Sequence, residues 1–392
     1  MSTTDAPRKE RFQATISVLT PLHTGQGELL HRNVDYLIHE GHLLVFRLTG
    51  LEQEFGAAAL ADQPAFRLAA LGSGEKLAGL AAYRLALPPR TQMPTEVQAY
   101  LRDAFEQPYV PSSLLRSALA VAVRRQQHQV EQDAHSPVGA QHAAPESEPA
   151  ASAEEKTTDE STPPAQPPSG GGQQRGRRRS YADPLRALTV TDCYPSADDL
   201  ADGLLRLLET GTRGQGDTPD RPNPPGAGAA QARRPGGAPQ QPERVWLECL
   251  PPQATLTGTV TLDPRRLTAS QRHAPAAGPG GVAEIIAACQ SWSEQVMNAE
   301  HEWWRQQPAA QSVVAVYDAL QAHRAHAARD ALSTLLWLGW GTRWHAAPAA
   351  ASESQGSTGP RATGERARRQ VILSGSSRPA GPLGWVRLTL HP

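Results

Sequence analysis

Apolar and polar residues alternate with two different periods along this chain, and long stretches follow neither. Phe12–Thr20 (FQATISVLT) places Phe12, Ala14, Ile16 and Val18 on one face, which predicts a half-buried strand. Asp35–Ile38 and Leu43–Leu48 flank Glu40-Gly41 and predict a hairpin. Leu51–Leu71 reads as a loose helix, and Leu114–Val130 as a helix with Leu115, Leu119 and Val123 on its apolar face. Further on, Leu188–Asp192 predicts a strand and Asp198–Leu208 a helix. Trp246–Leu250 and Ala254–Asp263 read as a hairpin-like pair. Gly281–Trp304 and Ser312–Leu338 read as helices, and Gly384–Leu390 as a closing strand.

Four stretches lack the apolar side chains needed to offset the entropy of ordering: about 131–182, 211–243, 273–281 and 346–365. The first closes on the basic run Arg175–Arg179. A strand-hairpin-helix block on each side of the longest stretch predicts an α+β protein with antiparallel sheets. The expected organisation is two tandem ferredoxin-like domains, 1–130 and 183–392, with large disordered loop insertions.

Composition narrows the function classes. The net charge of -1 over 392 residues argues against binding nucleic acid by bulk electrostatics, while leaving room for a local basic surface. Almost all the cations are Arg, with Lys only at positions 9, 76 and 156. Cys193, Cys249 and Cys289 form no CxxC pair, so neither a disulfide framework nor a zinc site is expected. No apolar run approaches the ~20 residues of a membrane span, and nothing at the start has signal-peptide character. A cytoplasmic protein is expected.

The candidate chemistry is concentrated in a few short segments. Gln107–Val123 (QPYVPSSLLRSALAVAV) brings a Pro-marked turn, Ser112, Ser113 and Arg116 to the head of an apolar helix. Amides, hydroxyls and a cation together suit a phosphate, although serine also caps helices with no ligand at all. His23, Thr24, Gly25 and Gly27 follow the first strand directly. Glycine amides there can face a phosphate, with His23 bonded to or stacked on a base; the alternative is a tight turn with an exposed histidine. Trp337, Trp340 and Trp344 stand near Arg343. Trp337 continues an apolar run and suits the core, whereas Trp340 and Trp344 suit base stacking. Trp303-Trp304 suits helix packing or a subunit contact. Arg186 is either a phosphate clamp or an ion-pair partner for Asp183 or Asp192. The Arg175–Arg179 run is either an RNA contact or a solvated charge run.

In their order, these segments resemble the RAMP superfamily of CRISPR effector proteins, and within it the fifth-Csm-subunit family of type III-A complexes. Leu19–Gly27 (LTPLHTGQG) resembles the family's LTPLHIGSG element. Tyr109–Val123 resembles YIPGSSLKGAIRTAL, and Asp183–Asp192 (DPLRALTVTD) resembles DPFRxLxVSD. Leu335–Trp344 (LLWLGWGTRW) is similar to a late glycine-rich loop, and LGWVRL to the closing strand. Ser112 and Ser117 stand where the family has glycines, and Arg116 where it has lysine. The lost glycines remove positive-φ freedom and close backbone approach.

The resemblance implies a non-catalytic subunit that binds the 3′ region of crRNA and caps the backbone filament, supporting crRNA maturation and antiviral defence. Its implied RNA-binding residues are His23, Thr24, Gly25, Gly27, Ser112, Ser113, Arg116, Arg186, Gly339, Trp340, Gly341 and Arg343. The implied partners are crRNA, a neighbouring Csm backbone subunit, the small helical Csm subunit, host nucleases and, indirectly, target RNA. No cofactor or metal is expected. One alternative is a RAMP endoribonuclease with Asp35 as its acidic residue; yet Asp35 precedes an apolar run and is expected to begin a strand. A RAMP subunit of a Cmr-type or other type III complex is the other.

Overall fold

The computed structural model describes residues 9–25, 28–56, 68, 72, 74–88, 94–135, 185–196, 204–213, 244–266, 281–307, 309–339, 369–373 and 378–392. It is a mixed α+β structure of three sheets. Strand β1 (Glu10–Val18) buries Ala14, Ile16 and Val18, as its alternation requires. β2 (Leu29–His31), β3 (Tyr36–His39), β4 (His42–Val45), helix α1 (Leu48–Phe55), β5 (Tyr83–Ala86) and β6 (Glu96–Gln98) follow. The β3–β4 hairpin turns on Glu40 (φ 48°) and Gly41 (φ 74°), with His39 opposite His42. Two positive φ values in succession suit a two-residue hairpin turn.

Helix α2 (Ser112–His135) is followed by β7 (Leu188–Val190), β8 (Tyr194–Pro195), β9 (Arg206–Arg213), β10 (Arg244–Cys249) and β11 (Thr255–Leu262). Helices α3 (Val282–Arg305) and α4 (Gln311–Ala327) lead to β12 (Ser333–Trp337), β13 (Arg369–Leu373), β14 (Pro379–Gly381) and β15 (Trp385–His391).

The first sheet runs β12-β15-β1-β11-β7, with β8 also on β11; the second runs β14-β13-β9-β10-β6-β2; the third is β3-β4-β5. Pairing is antiparallel except between β10 and β6. Each of the two larger sheets draws strands from both sides of residues 131–182. Leu115, Leu119 and Val123 of α2 join Ile285, Ile286 and Cys289 of α3 in one core with Ile16, Val18, Val386 and Leu388. A second core joins Val296, Met297 and Trp304 of α3 to Val313 and Tyr317 of α4, Leu335 and Trp385.

Four elements differ from the sequence pattern. The helix expected over Leu51–Leu71 begins at Leu48 and ends at Phe55, before Gly56 (φ 79°). Arg206–Leu208 begins strand β9, not the end of a helix: Leu205 and Leu207 face the main core with Arg206 exposed between them, an alternation of period two. The helix expected over Ser312–Leu338 stops at Ala327, and Ser333–Trp337 is a strand. Leu336 faces one core and Leu335 the other, so both faces are buried and the alternation that marks a strand is erased. β10 and β11 do not pair with each other. After Leu250, Pro251 and Pro252 supply no amide and the chain passes from the second sheet to the first. Of the four expected insertions, 131–182, 211–243 and 273–281 reach the described residues only at their edges, where Gly211–Arg213 completes β9, and 346–365 lies wholly outside them. The basic run Arg175–Arg179 lies outside them.

Candidate nucleic-acid interface

The four motif segments meet at one junction. Pro111 starts α2, its carbonyl accepting from Leu114 and Leu115 amides. The Ser112 amide donates to Asp192 Oδ1 at 2.6 Å, so a carboxylate from the β7 segment caps the positive end of the helix. Just before this, Val110 and Cys193 exchange both backbone bonds at 2.9 Å. Arg116 Nη2 donates to Leu185 O at 3.1 Å, next to Arg186, whose side chain is exposed. Tyr109 and Tyr194 stack at 5.4 Å and 19°. Thr24 Oγ1 donates to Tyr109 O at 3.3 Å, tying the turn after β1 to the same place.

Beneath that turn, His23 is 2 % exposed, with Nδ1 2.7 Å from the Glu248 carbonyl. A Cβ on Gly25 would lie 2.3 Å from His23 Nε2 and 2.7 Å from Ala99 O, so only glycine fits over the ring. Gly339 (φ 94°) closes the other side: its Cβ would stand 2.4 Å from the His23 carbonyl. Leu338 N bonds Gly384 O, Gly384 N bonds Pro21 O, and Trp385 N donates to Thr20 Oγ1 at 2.8 Å. The closing strand therefore clamps the turn.

This geometry divides the expected site residues. Ser113 and Arg186 are exposed, and Gly25, Ser112 and Arg116 half-buried. His23, Thr24 and Gly339 are buried and act as supports. In particular, the expectation that the His23 ring meets a base is corrected: the ring is packed under Gly25. The Ser112 amide likewise already has an acceptor in Asp192. Of the two alternatives for Arg186, a pairing with Asp192 is not formed: Asp192 accepts from a helix amide instead. Gly27, Trp340, Gly341, Arg343 and Trp344 lie outside the described residues. Trp337 is half-buried, stacks on Trp385 at 6.0 Å and donates Nε1–H to Leu383 O at 2.8 Å. Trp303 meets Trp304 edge-on at 4.6 Å in the α3–α4 core. Asp35 directly precedes β3, and its Oδ2 accepts from the His31 amide at 2.7 Å, a turn-closing role.

Sequence reasoning passed over Glu248. It is fully buried on β10 and accepts from Tyr83 Oη at 2.7 Å, the Tyr100 amide at 3.0 Å and Arg102 Nη2 at 3.3 Å. Arg102 Cζ stands 3.7 Å over the Tyr83 ring, a close cation–π contact. Burial, then the Glu248 charge, push the Tyr83 phenol well above its ordinary range. The available signal was a carboxylate inside the apolar run Trp246–Leu250.

Burial lowers the pKa of His23 from 6.5 to about 4, its bond to the Glu248 carbonyl opposing that fall. The neutral ring is thus the folded form. Its contribution is complete above pH 6.5 and is lost as the unfolded chain takes up a proton that the folded chain takes up only near pH 4. We expect about 3 kcal/mol of stability to disappear across that window. Denaturant titrations of the unaltered chain and His23→Asn at both ends of the window check this; equal pH slopes would refute it.

Among the described residues no group of three or more His, Cys, Asp or Glu is arranged to hold a metal, and no helix is long and apolar enough to cross a membrane. Cys193, Cys249 and Cys289 are buried free thiols, with burial pushing Cys193 and Cys289 up to about 12.

Solved structures share this architecture. A chain of a type III-A Csm–crRNA–target RNA ternary complex superposes with a TM-score of 0.56, at 18% identity, over 97% of this chain and 100% of that one. The crystal structure of T. onnurineus Csm5 gives 0.54, at 18% identity, over 95% and 99%. The fold is Csm5-like. No family model matches the chain, and no curated protein does.

Proposed function

We propose that this chain is a non-catalytic, RNA-binding subunit of a type III-A CRISPR ribonucleoprotein. In this reading it holds the 3′ region of crRNA and caps the backbone filament, supporting crRNA maturation and antiviral defence in the cytoplasm. The observation that carries it is the convergence of all four motif segments on one junction, in a chain whose fold is Csm5-like. Segments far apart in sequence converge where Ser113 and Arg186 are exposed and Arg116 is half-buried, with His23, Thr24 and Gly339 underneath. Arg116 and Arg186 bring cationic forks to a phosphate, and Ser113 a hydroxyl. Asp192 occupies the Ser112 amide, so the contact runs through side chains more than through a backbone cradle.

The two larger sheets correspond in this reading to two ferredoxin-like units that exchange strands, so the units follow the sheets and not a cut near residue 130. A neighbouring Csm backbone subunit and the small helical subunit are the expected protein partners, with host nucleases recruited for trimming and target RNA met indirectly.

Cross-linking of the assembled complex tests the placement: cross-links from this chain concentrate in the 3′ region of crRNA, and cross-links confined to the 5′ end would sink it. Arg116→Ala removes a charged donor worth ~1.5–3 kcal/mol, hence about 10- to 100-fold in crRNA affinity. Arg116→Lys, which keeps the charge and loses the fork, falls between. Fluorescence anisotropy at fixed salt measures both, and equal affinity for all three chains would refute the Arg116 assignment.

A further inference from the structure

We infer that the loop Arg102–Pro108, with its exposed Phe105, is the anchor by which this chain docks a neighbouring protein subunit carrying an apolar socket with a basic rim. Four large hydrophobic side chains among the described residues are strongly exposed, and Phe105 is the most so, at 83 %. Two of the others, Leu48 at 57 % and Val34 at 44 %, belong to the same region. Arg47 joins Leu48 to this loop, because its Nε and Nη2 donate to the two Glu106 carboxylate oxygens at 2.7 Å each. Val34 precedes Asp35, whose carbonyl accepts from the Phe46 amide at 2.9 Å. Backbone bonds and this bidentate ion pair thus link the segments that carry the three apolar side chains.

The loop is held, not merely exposed. Asp103 Oδ1 accepts from the Phe105 amide at 2.8 Å and the Gln107 amide at 3.0 Å. Asp103 N donates to Gln107 O, and Arg102 Nη1 to Glu106 O at 3.1 Å. Arg102 in turn reaches the fully buried Glu248. A rigid loop pays little ordering entropy when a pocket closes over its aromatic side chain, which is the character of an interface anchor.

Charge decides between a protein and RNA as occupant. Segments 28–35, 47–54 and 102–106 carry six carboxylates against three arginines. Two of those arginines, Arg47 and Arg102, are tied to Glu106, Glu28 and Glu248. Glu52 and Glu54, both exposed on α1, leave an acidic rim that repels phosphate and attracts a Lys/Arg-rich one. This identification of the partner as a subunit of the ribonucleoprotein rests on the proposed function.

The full chain is loaded with crRNA and offered to the Csm backbone subunit of the same complex. Affinity for that subunit is read by interferometry, and affinity for crRNA alone by anisotropy. Phe105→Ala is expected to weaken subunit binding about 30-fold or more, the effect of removing an interface anchor, and to leave crRNA affinity unchanged. The double change Glu52→Lys, Glu54→Lys slows association. Unaltered subunit affinity in Phe105→Ala overturns the inference, as does a loss of crRNA affinity instead, which would make the loop an RNA contact. If the unaltered chain binds neither crRNA nor the subunit, the proposed function itself fails and takes the inference with it.

Discussion

Glu248→Ala lowers the unfolding free energy by about 3–5 kcal/mol, the usual cost of removing one member of a buried ion pair. The carboxylate is fully buried, and the Arg102 side chain that it faces is only 10 % exposed. Deleting it strands three donors: the Arg102 guanidinium, the Tyr83 hydroxyl and the Tyr100 amide. The Tyr100 amide, on a buried residue, keeps its desolvation cost with no bond to offset it, and Arg102 is left with its bond to the Glu106 carbonyl and its contact with the Tyr83 ring. Glu248→Gln separates charge from hydrogen bonding, since an amide oxygen still accepts from one or two of the donors. Its loss should be smaller than that of alanine. Urea unfolding of the purified chains measures the order, and a glutamine variant as unstable as alanine would show that charge alone matters. The loop bearing Phe105 should loosen with it, since Arg102 is its inner tether.

Gly339→Ala is the second large effect, at about 2–5 kcal/mol from backbone strain and overpacking together. At φ 94° an alanine is strained whatever the space, and its Cβ would stand 2.4 Å from the His23 carbonyl and 3.0 Å from Leu22 Cδ1. Neither a carbonyl nor a buried leucine of the central core yields cheaply. Gly41→Ala is the control, because its φ of 74° is also positive but nothing lies within 4 Å of the added Cβ. It should cost about 1–2 kcal/mol, the left-handed penalty alone. Thermal unfolding of both variants makes the comparison, and equal losses would mean that the contact with the His23 turn contributes nothing.

Where one face of an element meets solvent, the sequence pattern was readable. β1, the β3–β4 hairpin and the inner face of α2 all follow from period and turn residues. Elements buried on both sides were not, because period two vanishes when inward and outward residues are equally apolar. Ser333–Trp337 is the clearest example. Partner choice was also hidden. Nothing in Trp246–Leu250 says that it pairs with β9 and β6 and not with the strand that follows it.

At the candidate site, the residue types were legible but not their depth. Gly25 and His23 read as a surface turn, yet a glycine permits close approach from inside as well as outside, and here the imidazole fills that space. Asp192 was visible as a charged residue near Arg186. That it caps a helix 80 positions earlier is a tertiary fact.

The position of β1 between β11 and β15 has a consequence for synthesis. Gln13 lies opposite His391, and Val18 opposite Val386, so β1 pairs with a strand that is made long after it. Until residues 385–391 are made, β1 has an open edge and the clamp on the Thr20–Gly25 turn is missing. Sheet completion is therefore a late, long-range step with a high loop-closure cost, and it is slow for that reason. A nascent chain stalled before Trp385 would present an unpaired strand to its neighbours, the setting in which association between chains competes with folding.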